Sequence, residues 1–310
     1  MIARAAALAR AATPRRGGGS MGTVQQFRFD GRDGGSVAGY RWEPDGAPRG
    51  VVQLTHGVGE HLRRYDHLAR TLNAAGFLVL GHDSRGHGAT IAAGAEPGVI
   101  GADGWRRTVE DIGVLGERAR AEFPGLPLVL LGHSMGSFAT QQFLVDGGDR
   151  VDAVVLSGTG ALDLLEPALD LDAGLDLSGF NTPFEPGRTG FEWLSRDEAQ
   201  VDRYVADPLC GFGYDVEALK AVFAGARTAA DPDRVAGIRS DLPILVTVGD
   251  ADPVNAGLAL VHALVDRYRT AGVTDVELHA YPGARHEVFN ETNRDEVEAD
   301  LVAWLDRVLG

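Results

Sequence analysis

The chain has 310 residues, a formal charge of −15 and one cysteine, with 44% hydrophobic and 24% charged residues. This is a globular composition, long enough for one large α/β domain carrying an insertion. The acidic balance argues against a nucleic-acid backbone or an anionic membrane surface as main partner, and the lone Cys210 excludes a disulfide within the chain. No apolar run reaches the length of a membrane span, and the cysteine usage is compatible with a reducing, cytoplasmic setting.

Residues 1–22 stand apart. They carry Arg4, Arg10, Arg15 and Arg16 without an acid. These arginines interrupt any apolar core, so a secretory signal is a poor match. The stretch reads as a disordered tail, or as a start upstream of Met21. Residues 24–29 and 36–42 alternate as two strands joined by a Gly-rich hairpin loop. A short buried strand, 51–54, runs into Thr55-His56-Gly57-Val58-Gly59-Glu60-His61. Leu68, Leu72 and Ala75 give residues 65–75 helical spacing. A third apolar run, 77–80, leads to Asp83-Ser84-Arg85-Gly86-His87-Gly88. Residues 105–123 form a helix, stopped by Pro124-Gly125.

Strand 128–131 then runs into Gly132-His133-Ser134-Met135-Gly136, with a helix over 137–143. A serine between two glycines can occupy a very tight strand-to-helix turn, which lifts its hydroxyl above the sheet edge. It also leaves the Met135 N–H at a helix N-terminus, where negative charge is stabilised. Strand 151–156 follows. Residues 161–236 then lose the rhythm, and are rich first in Leu and Asp and then in aromatics and proline. This segment reads as a mainly helical cap between a first core part, 23–160, and a second, 237–310. Its aspartates read as solvated helix faces. Strand 243–248, helix 256–271, strand 273–281 and helix 296–309 complete the chain. Alternating strands and helices of this kind form a mostly parallel sheet covered on both faces, with functional residues in loops after the strands.

A serine hydroxyl needs a neutral imidazole to take its proton and a carboxylate to orient that imidazole. On this architecture the chain order is Ser, Asp, His, and the loops after strands supply Ser134, Asp252 and His286. Asp250 rivals Asp252, which is preferred because Asp250 abuts the strand end. Among the other histidines, His262 falls within a helix and His279 within a strand. The acyl-transfer oxyanion needs two N–H donors, and Met135 and Val58 offer them. Arg85 and His87 read as a polar network pinning a Gly-rich loop, and Cys210 as a small buried filler.

These stretches carry a resemblance. With Arg64-Tyr65, Asp252-Pro253-Val254, His286-Glu287 and Asn290-Glu291, they make the chain similar to the α/β-hydrolase superfamily from about residue 23 onward. Within it, the chain resembles the monoacylglycerol lipase, lysophospholipase and serine aminopeptidase group. The resemblance implies an eight-stranded α/β-hydrolase fold with a cap, and Ser134, Asp252 and His286 as the triad. It also implies Val58 and Met135 as oxyanion donors, and Glu60 and Arg64 shaping the polar end of the pocket. Ser137 stands where such lipases commonly carry glycine, and the Asp-Leu segment matches no known pattern. No dinucleotide fingerprint or metal-ligand spacing appears, so no cofactor or metal is expected.

The expected activity is hydrolysis of a lipid-like carboxylic ester, a monoacylglycerol or lysophospholipid, with transient contact between the cap and lipid surfaces. An aminopeptidase-like amide hydrolase on the same triad is the alternative, needing cap acids such as Glu166, Glu185 or Glu192 to hold an amino group. A non-catalytic ligand-binding relative is the third reading.

Overall fold

The computed structural model describes residues 24–101 and 103–310. The reading of residues 1–22 lies outside them. Eight strands form one sheet in the order β1-β2-β4-β3-β5-β6-β7-β8. They are β1 (Gln25–Asp30), β2 (Ser36–Trp42), β3 (Gly50–Thr55), β4 (Phe77–His82), β5 (Leu128–His133), β6 (Ala153–Ser157), β7 (Ile244–Gly249) and β8 (Val276–Tyr281). The β1–β2 and β2–β4 pairs are antiparallel, and all later pairs are parallel. The central strands are buried along their whole length, which is why they read as apolar runs without alternation.

Alternate side chains still go to opposite faces. Leu128 and Leu130 join one core cluster with Ile112, Leu115 and Leu264, whereas Val129 and Leu131 join another with Leu68, Leu72, Leu301 and Trp304. Helices α1 (Asp66–Ala74) and α8 (Arg294–Leu309) therefore cover one face. Helices α2 (Gly104–Glu122), α3 (Met135–Gly147) and α7 (Ala259–Thr270) cover the other. Register brings the carboxyl ends of the strands to one edge. Thr55 pairs with Gly132, Gly132 with Leu156, Leu156 with Val246 and Val248 with Ala280. The loops after β3, β5, β7 and β8 thus meet above the sheet.

Between β6 and β7 the structure departs from the expected α-helical spacing. Residues 162–194 form short 3-10 turns, the longest being Leu177–Phe184. Aspartate is the physical reason. The Asp170 side chain accepts from the Asp172 N–H at 3.0 Å and that of Asp176 from Ser178 at 2.9 Å. These local bonds compete with helical ones, and Pro167 and Pro183 cannot supply a helical N–H. Two of the aspartates read as helix faces are thus turn caps. Three α-helices follow: α4 (Glu198–Ala206), α5 (Val216–Ala230) and the single turn α6 (Pro232–Val235). Leu219, Val222 and Phe223 of α5 enter the same cluster as α3. Among the described residues no helix is long and apolar enough to cross a membrane.

Candidate active site

Ser134 alone makes the turn from β5 to α3, with φ 50° and ψ −120°. A positive φ is strained for a residue with a Cβ, and such strain clusters where function needs it. Both flanking glycines are sterically required. A Cβ on Gly132 would lie 2.4 Å from the Gly136 carbonyl oxygen, and one on Gly136 would lie 2.2 Å from that of Thr55. The motif therefore lets α3 start directly against the end of β3. Ser137 is accommodated: its hydroxyl donates to the Ser134 carbonyl at 2.6 Å and meets the Thr159 hydroxyl at 2.8 Å.

His286 lies in the loop after β8, with its Nδ1 2.8 Å from Asp252 Oδ2. Both side chains are buried. The other Asp252 oxygen accepts the Val254 N–H at 2.9 Å, which fixes the carboxylate. Asp250 instead accepts the Gly283 N–H at 2.6 Å and closes the turn after β8. Burial opposes a charge on His286, but the Asp252 carboxylate outweighs it and holds the imidazole pKa above its ordinary value. His133 and Trp193 both pack against this ring, with centroids 4.8 and 4.9 Å away. Burial lowers the His133 pKa to about 4, and His286 adds to the effect.

The loop after β3 is held by side-chain acceptors. Glu60 Oε1 takes the Gly57 N–H at 2.6 Å and His87 Nε2 takes the Gly59 N–H at 3.2 Å. Among the described residues, the Val58 N–H between them has no such partner. His56 Nε2 accepts the Ser84 N–H at 2.9 Å, tying this loop to the one after β4. His87 is thus structural, as expected, but the structure it serves is the Val58 loop. Arg85 bonds Asp33 and Asp111.

Glu60 also accepts from Tyr65 Oη at 2.8 Å and from Arg64 Nη1 at 2.6 Å. Burial works against its charge, but Arg64 holds the carboxyl below the ordinary carboxylate range. Arg64 reaches across to Glu287 with two bonds, at 2.5 and 2.7 Å, and lies over the Tyr204 ring. Glu60 and Arg64 therefore form one buried network whose other carboxylate, Glu287, stood in the sequence only as part of the His286-Glu287 stretch, with no role in the pocket. Its place directly after His286 was the available signal.

These groups open onto a cavity. Val58, Glu60, Ser134, Met135, His286 and Glu287 line one end, and leucines and aromatics of residues 162–223 line the rest. Glu166, Glu185 and Glu192 are not among its lining residues. Glu166 pairs with Arg227, Glu185 bonds Asn181 and Gly187, and Glu192 caps the turn at Thr189. Cys210 is half-buried, and burial pushes its thiol pKa up, which does not suit a nucleophile.

A family model described as serine aminopeptidase, S33, matches residues 46–293. A monoacylglycerol lipase of Mycolicibacterium smegmatis is 35% identical over 289 residues, covering 91% of this chain and 97% of the relative. A monoglyceride lipase of Mus musculus is 30% identical, covering 81% of this chain and 79% of the relative. A solved thermostable carboxyl esterase from Bacillus coagulans, in complex with glycerol, superposes with a TM-score of 0.80 at 27% identity over 93% of this chain and 99% of its own. With the eight-stranded sheet and the Ser134 elbow, these matches place the chain in the serine aminopeptidase S33 family of α/β-hydrolases.

Proposed function

We propose that this carboxylic ester hydrolase cleaves monoacylglycerol-like lipid esters through an acyl-enzyme on Ser134. One observation carries the reading: Ser134 and the His286–Asp252 pair sit together at the polar end of an otherwise apolar cavity. The Ser134 Oγ attacks the ester carbonyl carbon while His286 takes the hydroxyl proton. The Nδ1–H of the imidazolium formed donates to Asp252, which stabilises it. The N–H groups of Met135 and Val58 receive the oxyanion. Collapse of the tetrahedral intermediate expels the alcohol, which takes the proton from His286. Water then deacylates Ser134 by the same route.

Residues 161–236 act as the cap, and their leucines hold the acyl chain. Leu164 and Leu209 are exposed and are the side chains by which the cap meets a lipid surface. The named lipase relatives support ester hydrolysis, and the single half-buried cysteine fits a cytoplasmic setting. The test is fatty-acid release from monoacylglycerols of increasing chain length, with Ser134→Ala as the blank. Turnover with a chain-length optimum is expected, with loss of at least about a thousandfold in the variant. Undiminished release by the variant overturns the reading.

A further inference from the structure

The polar end of the cavity holds more acid than base. Glu60 and Glu287 both line it, and they are 2% and 4% exposed. One cation, Arg64, is shared between them. Their remaining partners are neutral donors: the Gly57 N–H and the Tyr65 hydroxyl on Glu60, and the Asn290 amide on Glu287. Asp252 is engaged by His286 and does not line the cavity, so it leaves this balance unchanged. The neighbouring His133 does not redress the balance, because burial favours its neutral form. Among the described residues, two carboxylates thus share one guanidinium at this end of the cavity, buried from bulk solvent. Charges in such a space act over longer distances than at the surface.

The placement of this excess matters. On the ester-hydrolase reading, the apolar cap side chains take the acyl chain and leave the alcohol toward Glu60 and Glu287, which line the same cavity. We propose that this end of the pocket sorts esters by the charge of their alcohol, taking neutral polyols and quaternary-ammonium alcohols and refusing phosphorylated ones. The proposal rests on the ester-hydrolase reading of the same pocket. It narrows the lipid class: a lysophospholipid whose head group is a bare phosphate monoester is a poor ligand, although its acyl chain fits.

The test uses Ser134→Ala protein, which retains the cavity, and three esters of one acyl chain: decanoylcholine, 1-decanoylglycerol and 1-decanoylglycerol 3-phosphate. Binding is measured by calorimetry below the micelle concentration. The phosphate ester is expected to bind at least about tenfold more weakly than the glycerol ester, the effect of one like charge about 12 Å away at an effective dielectric near 20. The choline ester binds at least as tightly as the glycerol ester.

Salt separates this from the general acidity of the chain. Surface repulsion fades between about 0.1 and 1 M salt, where the Debye length falls from about 10 to about 3 Å, whereas a buried effect persists. Glu287→Gln keeps the side-chain size while removing one charge, and is expected to narrow the ratio several-fold, with a melting curve as the check on folding. Should that variant not fold, the wild-type cavity ratio and its salt dependence still decide. Equal binding of phosphate and glycerol esters, or discrimination that vanishes at high salt, overturns the proposal. If active enzyme releases fatty acid from none of the three, the hydrolase reading falls, while the binding ratios still test the sorting.

Discussion

The edge of the sheet and the cap segment above it are built by different rules. At the edge, Ser134, Asp252 and His286 come from three distant stretches, and parallel pairing fixes their relative height residue by residue. In residues 162–185 most backbone bonds close within a few residues, and two of the turns are closed by aspartate side chains. The first arrangement is cooperative, because displacing one strand displaces its neighbours' loops. The second is local, and each turn can change without the next. On the proposed reading, reaction geometry is therefore constrained by the fold, whereas the wall that would hold the acyl chain is set piecemeal.

The strongest way to break the first half of this contrast is Gly136→Ala. The added methyl would meet the Thr55 backbone oxygen at 2.2 Å, and backbone of a central strand cannot step aside. Overpacking of this kind costs about 1–3 kcal/mol or more. Displacing the nucleophile by an ångström costs about a hundredfold in rate. Both a lower melting temperature and loss of ester hydrolysis of that order are expected. Wild-type values in both assays would show that the edge is less rigid than its register implies.

Asp252→Asn tests the same edge electrostatically. Loss of the carboxylate leaves the imidazolium without its partner, and kcat should fall by about ten-thousandfold. Asp250→Asn, which alters only the acceptor for the Gly283 N–H, should stay within about threefold. The pH profile sharpens the point. His286 must be neutral to accept the serine proton, and Asp252 raises its pKa. Activity of the wild type should therefore be lost as pH falls through a value above the ordinary 6.5 or so of histidine. In Asp252→Asn burial is the largest influence left on the ring, opposed only by Glu287 and Glu60, so the residual activity should persist to lower pH than in the wild type. An unmoved acid limb would mean that another group titrates.

The same contrast explains what could be read from the sequence. The eight strands were legible because burial on both faces leaves short apolar runs, and the elbow because only glycine fits beside Thr55 and Gly136. Asp252 was preferable to Asp250 on its place in the loop, and it is Asp252 whose carboxylate meets His286. The cap was not legible as structure. Its Leu spacing looks helical, but Asp170 and Asp176 spend their side chains on nearby N–H groups and proline removes others. Glu287 was also missed as a wall of the pocket, because its role comes from Arg64, more than two hundred residues earlier in the chain, and no local pattern encodes that pairing.

The cap half of the comparison is sharpened by Leu219→Trp. Leu219 lies on α5 and lines the cavity, so a larger ring there shortens the acyl site. Release from long-chain monoacylglycerols should drop by about tenfold or more, with short-chain esters within about twofold. An equal loss across all chain lengths would place Leu219 near the reacting carbonyl instead.

The smallest effect is expected for Asp176→Ala, and it separates local from cooperative construction most directly. The Asp176 carboxylate accepts the Ser178 N–H at 2.9 Å and starts the turn that carries Leu177, a cavity-lining residue. Losing such a cap costs about 1 kcal/mol. If the turn is a local unit, that cost loosens one wall of the acyl site. The chain-length optimum should then broaden, while hydrolysis of a short-chain ester and its pH profile stay as in the wild type. A change in the pH profile would mean that the turn is coupled to His286 through Trp193, whose carbonyl accepts the His286 N–H at 3.3 Å, and the cap would then belong with the cooperative edge.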